Sequence, residues 1–254
     1  MIEPPPGADA QPPEAEDPAA SQASVAAGSG GPVGGRSLMD SARLEAFSDG
    51  VFAVAITLLA LNLVVPGPGS GKPLSDLLGH AWPSFAGYLV SFLTIGIIWV
   101  NHHTLFKNFA GIDRPLLFIN LMLLFFVVAI PFATKTFADY LTASGHNSGQ
   151  NASLAAAVYE GVFEGMSLGF GLLFWWSIKR EHLKIRFTPE GARRAAIRFG
   201  LGNFGYIAAI GIAFVSPRAA LVISLIVAVY YVFEHTPARP PAPDPGAGAG
   251  LGTE

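Results

Sequence analysis

The densest chemistry in the chain lies where its first long apolar run begins. Arg43 is followed by Phe47-Ser48-Asp49, and from there Thr57 is the only polar side chain before Asn62. An arginine and an aspartate at the mouth of a hydrophobic helix are costly unless paired, hydrated or turned into a bundle, so they should meet polar partners such as each other or a histidine. Ser48 and Asp49 could instead cap the helix, and Thr57 could return its hydroxyl to a carbonyl one turn back. His102 and His103 follow Trp99. Adjacent histidines point about 100° apart on a helix and cannot share a metal as an i, i+4 pair would, which leaves a hydrogen bond across a helix interface. Glu160 and Glu164 do share a helix face. A cation site or proton relay is conceivable there, but a wet helix end near the outer surface is the expected setting.

Other spacings carry less. Gly200-Leu201-Gly202-Asn203-Phe204-Gly205 matches the dinucleotide fingerprint in letters, yet that loop works only between a strand and a helix, and here it falls in an apolar segment. Close helix packing is the better reading. Gly161, Gly165 and Gly169 recur every four residues, the spacing of a tight helix contact face. The absence of cysteine excludes disulfides, thiol nucleophiles and Cys-bound zinc. No metal-ligand or nucleophile–base spacing supports an enzyme, no cofactor is implied, and a net charge of −3 gives no case for a nucleic-acid partner.

The elements that must position these groups are membrane helices. Of 254 residues, 51% are apolar and 13% charged, against about 25% charged in soluble domains. Crossing a bilayer takes about 20 apolar residues, and six runs qualify: Leu44 to Val65, Pro83 to Phe106, Leu116 to Thr134, Ala152 to Ile178, Phe199 to Val215, and the short Ala219 to Phe233. The fold class expected is therefore all-α, a polytopic membrane protein with six transmembrane helices over residues 38–236. Residues 1–37 and 237–254, rich in Pro, Ala and Gly, are expected to be disordered tails. The first tail lacks the basic start and apolar core of a secretory signal, so insertion is expected to begin at the first hydrophobic helix.

Lys and Arg asymmetry sets the orientation. Twelve flank one side, seven of them between the fourth and fifth segments, and only Lys72, Lys135 and Arg218 flank the other. Both termini are expected to be cytoplasmic in a multi-pass cell-membrane protein. The basic stretch around Thr188-Pro189-Glu190-Gly191, read as a chain break, serves orientation and lipid headgroup contact. No soluble partner is evident; the lipid bilayer is.

Arg-x-x-x-Phe-Ser-Asp followed by an apolar run holding Thr-Leu-Leu resembles the signature of the transmembrane-protein-175 potassium channels, specifically the bacterial six-helix relatives of the endolysosomal channel. Residues 43 to 63 carry most of the likeness, and the six segments and the Trp99 to Phe106 stretch agree with it. The resemblance implies a homotetramer whose first helices line a central pore, potassium as the permeant ion, and no Thr-Val-Gly-Tyr-Gly filter. The constriction it implies falls on Val54, Thr57, Leu58 and Leu61. Arg43, Phe47, Ser48, Asp49, Trp99, His102 and His103 would be structural and gating residues that brace the first helix. Family members commonly place Ile or Leu where Val54 stands, so this ring would be wider or the tightest point would move to Leu58 or Leu61.

Spacing agrees: 54, 57/58 and 61 form one stripe of a helix. An apolar ring gates by dewetting, whereas a hydroxyl ring replaces part of an ion's hydration shell. A secondary cation transporter or a cation/proton leak pathway is the alternative. A transporter would use midplane acids and inverted repeats; Glu160 and Glu164 are its only candidates, and no repeat relates the two halves. A membrane scaffold or sensor is a third class.

Overall fold

The computed structural model describes residues 41–65, 69, 71–184 and 189–233, all within one unit, Leu38–Glu254. The two tails expected at the ends lie outside the described residues, as does Thr188. Every regular element described is helical: α1 Ser41–Leu61, α2 Leu74–His80, α3 Trp82–Lys107, α4 Arg114–Leu141, α5 Ser148–Lys179, α6 Pro189–Ala213 and α7 Pro217–Phe233. Four of them, α1, α3, α4 and α5, are long and apolar enough to cross a membrane. The apolar part of α6, Phe199–Ala213, and α7 are shorter.

Local chemistry explains several boundaries. Pro83 and Pro115 sit in the first turns of α3 and α4, where a missing N–H costs nothing. The same logic corrects the chain break expected at Pro189-Glu190-Gly191. Proline opens α6 there, so the basic stretch holding Arg193 and Arg194 is helical rather than loop. α2 has no counterpart among the expected segments. It is only 7 residues long, too short for periodicity to reveal. α1 begins before Leu44, so Ser48 and Asp49 lie about two turns inside the helix and cannot cap it.

Side-chain pairs give the helix directions. Glu45 meets His103 and Asp49 meets Trp99, so α1 and α3 run in opposite senses. Ser48 meets Asn120 and Asn62 meets Pro131, so α1 and α4 run in the same sense. Phe137 stacks on Tyr159, and Gly169 lies against Leu123, so α5 returns antiparallel to α4. Phe163 with Tyr206 and Phe170 with Phe199 set α6 antiparallel to α5. The glycine face is real over part of its length. A methyl group on Gly165 would strike Phe126, and one on Gly169 would press on the Leu123 backbone, whereas Gly161 faces open space. Gly202 and Gly205 likewise admit Tyr231 and Val227 of α7 against α6.

Away from the hydrophobic spans, the α3–α4 and α5–α6 connections are stapled together. Asp113 caps α4 by accepting from Leu116 N at 3.0 Å, and its carboxylate also takes the Trp176 indole at 3.2 Å and lies 3.0 Å from His182 Nε2. Backbone bonds Ala110 N to His182 O and Lys184 N to Asn108 O, both 2.7 Å, close the junction. Burial works to raise the Asp113 pKa, but the hydrogen bonds from Leu116, His182 and Trp176 outweigh it and hold the carboxyl below its usual range. Asp113→Ala should cost about 1–2 kcal/mol, the worth of a good N-cap, read as a lower melting temperature in detergent. Because the folded-state value is depressed, that difference from wild type should be full at neutral pH and shrink as the pH falls below the carboxylate range.

Candidate pore helix and its polar bracing

α1 has two unlike faces. Ser48, Phe52, Ala55 and Leu59 are buried against the rest of the subunit. At about 100° per residue the opposite side carries Val54, Thr57, Leu58 and Leu61, with Arg43, Phe47 and Gly50 continuing the same stripe toward the start of the helix. All seven are exposed, Val54 by 54% and Leu61 by 73%. The four residues expected at the constriction thus lie in one line that no other element of the subunit covers among the described residues. The Thr57 hydroxyl donates to Val54 O at 2.8 Å, leaving the lone pairs of its oxygen on the exposed side.

The buried face is held by polar bonds. The Asn120 amide donates to Ser48 Oγ at 2.9 Å, and Ser48 Oγ donates on to Leu44 O at 2.8 Å. With its NH₂ so used, Asn120 presents only an acceptor to His102 Nε2 at 2.8 Å, so the imidazole must donate. His102 is fully buried between Phe52 and Phe106, stacked on the latter with ring centres 4.0 Å apart. Its Nδ1 has no partner among the described residues, consistent with a neutral ring.

A second, half-exposed pair of rungs lies beside this chain. Trp99 Nε1 donates to Asp49 Oδ1 at 2.9 Å, and His103 Nδ1 lies 2.9 Å from Glu45 Oε1, with His103 and Trp99 stacked. The two histidines therefore serve different partners, as their angular separation requires. At the far end Asn62 Nδ2 donates to Pro131 O at 2.9 Å. Of the residues expected to brace α1, the structure brings Ser48, Asp49, Trp99, His102 and His103 together. Arg43 is exposed and has no ion pair among the described residues, while Phe47 lines an apolar groove of about 400 Å³ between α1 and α4.

A potassium channel of Streptomyces collinus is 46% identical over 202 residues, covering 78% of this chain and 94% of the relative. The chain belongs to the TMEM175 family. The family profile described as "Endosomal/lysosomal potassium channel TMEM175" matches residues 43–131. The crystal structure of a lysosomal potassium-selective channel TMEM175 homolog from Chamaesiphon minutus superposes with a TM-score of 0.66 at 32% identity, covering 76% of this chain and 96% of that one. The Bos taurus endosomal/lysosomal proton channel TMEM175 is 35% identical over 99 residues, which are 36% of this chain and 21% of the relative.

The TMEM175 profile begins at Arg43 and ends at Pro131, so it encloses both polar pins of α1 and every residue that bonds to it across α3 and α4. Three of these residues escape a reading of the sequence alone: Glu45, Asn62 and Asn120. Asn120 had a signal, being the one polar side chain between Pro115 and Thr134. An amide in an apolar helix needs a partner across an interface. Glu45 carried none, since an acid near a helix start is commonplace. In this TMEM175 member, Asn120→Leu should leave His102 Nε2 unpaired in an apolar setting, remove the donor to Ser48 and cost about 1–3 kcal/mol, read as lowered melting temperature in detergent. Asn120→Gln, which retains the amide, should lose less.

Proposed function

We propose that the chain is a potassium-selective channel of the cell membrane, a homotetramer in which four copies of α1 surround a central pore. The observation that carries this reading is the exposed stripe of Val54, Thr57, Leu58 and Leu61, set opposite a face pinned to α3 and α4. A lipid-facing anchor needs no such rigid backing. A pore wall does, because a displacement of an ångström changes whether a narrow ring wets. In this reading α6 and α7, using their flanks, cross the bilayer along with α1, α3, α4 and α5, and both termini are cytoplasmic.

Four rings of Val54, Leu58 and Leu61 would form the apolar constriction, and four Thr57 oxygens would supply the one place on the axis where a hydroxyl can replace water around potassium. Partial rather than complete dehydration then sets selectivity. Arg43, Phe47, Ser48, Asp49, Trp99, His102 and His103 act on the pore through the position of α1. The potassium channels named among the relatives support this ion. The proton channel named for the bovine relative makes proton leak through the same pore the alternative to test.

In liposomes, Val54→Asn and Leu61→Asn should each raise basal potassium flux several-fold, and unchanged flux in both removes the stripe from the pore. Thr57→Ala should bring the reversal potential under biionic potassium and sodium toward zero. A pH gradient imposed in the same bilayer reads proton permeation. Slow, saturating, coupled flux would mark a transporter instead.

A further inference from the structure

Near the middle of α5 two acids are buried that the α1 stripe does not use. Glu160 lies about 18 Å and Glu164 about 24 Å along a helix about 48 Å long, so the wet helix end expected for them is overturned. Glu160 is fully buried and Glu164 is 8% exposed. The expectation failed because α5 starts at Ser148 rather than Ala152 and because α6 and α7 close over this face. Both residues lie outside the 43–131 segment that the family profile matches.

Ser224 of α7 donates to Glu160 Oε2 at 2.5 Å. Glu160 Oε1 and Glu164 Oε2 are buried with no hydrogen-bond partner among the described residues. The titratable groups around them are phenols: Tyr159 on α5, Tyr206 on α6 and, beyond it, Tyr231 on α7. α3 and α4 contribute the neutral hydroxyls of Ser91, Thr94 and Thr134, all bonded within this polar core. Lys135 and Asp139 of α4 are half exposed and paired with each other. No cationic side chain among the described residues bonds to either acid.

Two bare carboxylates four residues apart here would repel each other and forfeit their hydration, so positive charge must accompany them. A metal or alkali cation would need a shell of oxygens and room for it. The free oxygen of each acid has no hydrogen-bond partner among the described residues, and neither acid borders the cavity of about 20 Å³ lined by Thr94, Ser167 and Tyr206. A proton needs one lone pair and no volume. We propose that Glu160 and Glu164 form a proton-binding site inside each subunit, apart from the α1 stripe, whose loaded state holds α5 against α6 and α7. With both carboxyls neutral, Ser224 keeps its bond to Glu160 and the phenols of Tyr159 and Tyr206 pack against an uncharged group. Unloaded, the site presents two like charges, and the α5–α6–α7 packing must yield to admit water.

Infrared difference spectroscopy on the full chain in lipid, taken through a pH titration, reads the carboxylic C=O stretch directly. Wild type should show a buried-carboxyl band at neutral pH that vanishes on alkalinisation. The band should weaken in Glu160→Gln and in Glu164→Gln and be lost in the double variant. Absence of the band from wild type, or its survival in the double variant, overturns the proposal. So does a wild-type band that appears only after sodium and potassium are removed, since a cation would then be the occupant. Melting in detergent is the second measurement: wild type should lose stability as pH rises while the double variant does not, and equal pH dependence in both counts against the site. Neither measurement passes current, so neither outcome depends on the pore reading.

Discussion

A one-way run of hydrogen bonds, from His102 to Asn120 to Ser48 to the Leu44 carbonyl, decides where the first helix sits. Each member is a group that hydrocarbon cannot satisfy, and each uses its neighbour's free valence. Bonds of this kind across helices in a membrane are individually worth about 0.6–2 kcal/mol, so strength is not their main contribution. They fix register: sliding α1 by a residue would take Ser48 away from the buried Asn120 amide and leave its NH₂ unpaired, whereas an apolar interface would repack. Asn62 on Pro131 repeats the device about 21 Å away along α1. With both ends tied, the exposed stripe has a defined direction.

That same constraint divides the subunit. α1, α3 and the first half of α4 carry the paired polar groups and the family profile. α5 is joined to α4, and α6 and α7 to α5 and to each other, largely by close packing, with glycines at 165, 169, 202 and 205 letting bulky neighbours come within contact of the helix backbone. Where that packing encloses Glu160 and Glu164, it surrounds acids with phenols and hydroxyls instead of bases. The connections that join the two halves are held by a different chemistry, the Asp113 carboxylate that caps α4 and lies 3.0 Å from His182 Nε2, which works because it lies outside the hydrophobic spans.

Much of this was legible in the residues. Apolar run length announced the long helices, and Phe-Ser-Asp in register with Thr57 singled out α1. The angular separation of His102 and His103 ruled out a shared metal and left a hydrogen bond across a helix interface, which His102 makes to Asn120. Boundaries were less readable. Pro189 begins a helix as easily as it ends one, and only the chain beyond it tells which. The depth of Glu160 and Glu164 was misjudged because burial depends on which helices close over a face, and an i, i+4 pair looks the same on a wet end and in a core.

Composition and periodicity by themselves established an all-helical membrane protein with an apolar first helix opening on charged residues, since bilayer thickness and backbone hydrogen bonding leave so few alternatives. Which face of that helix is tied down and which is left bare could not come from its own letters, because beyond Asp49 it is apolar all round. Asn120, seventy-two residues from Ser48 in the chain, settles it. A polar group buried in hydrocarbon must find its partner, and the partner's position exists only once the helices have packed.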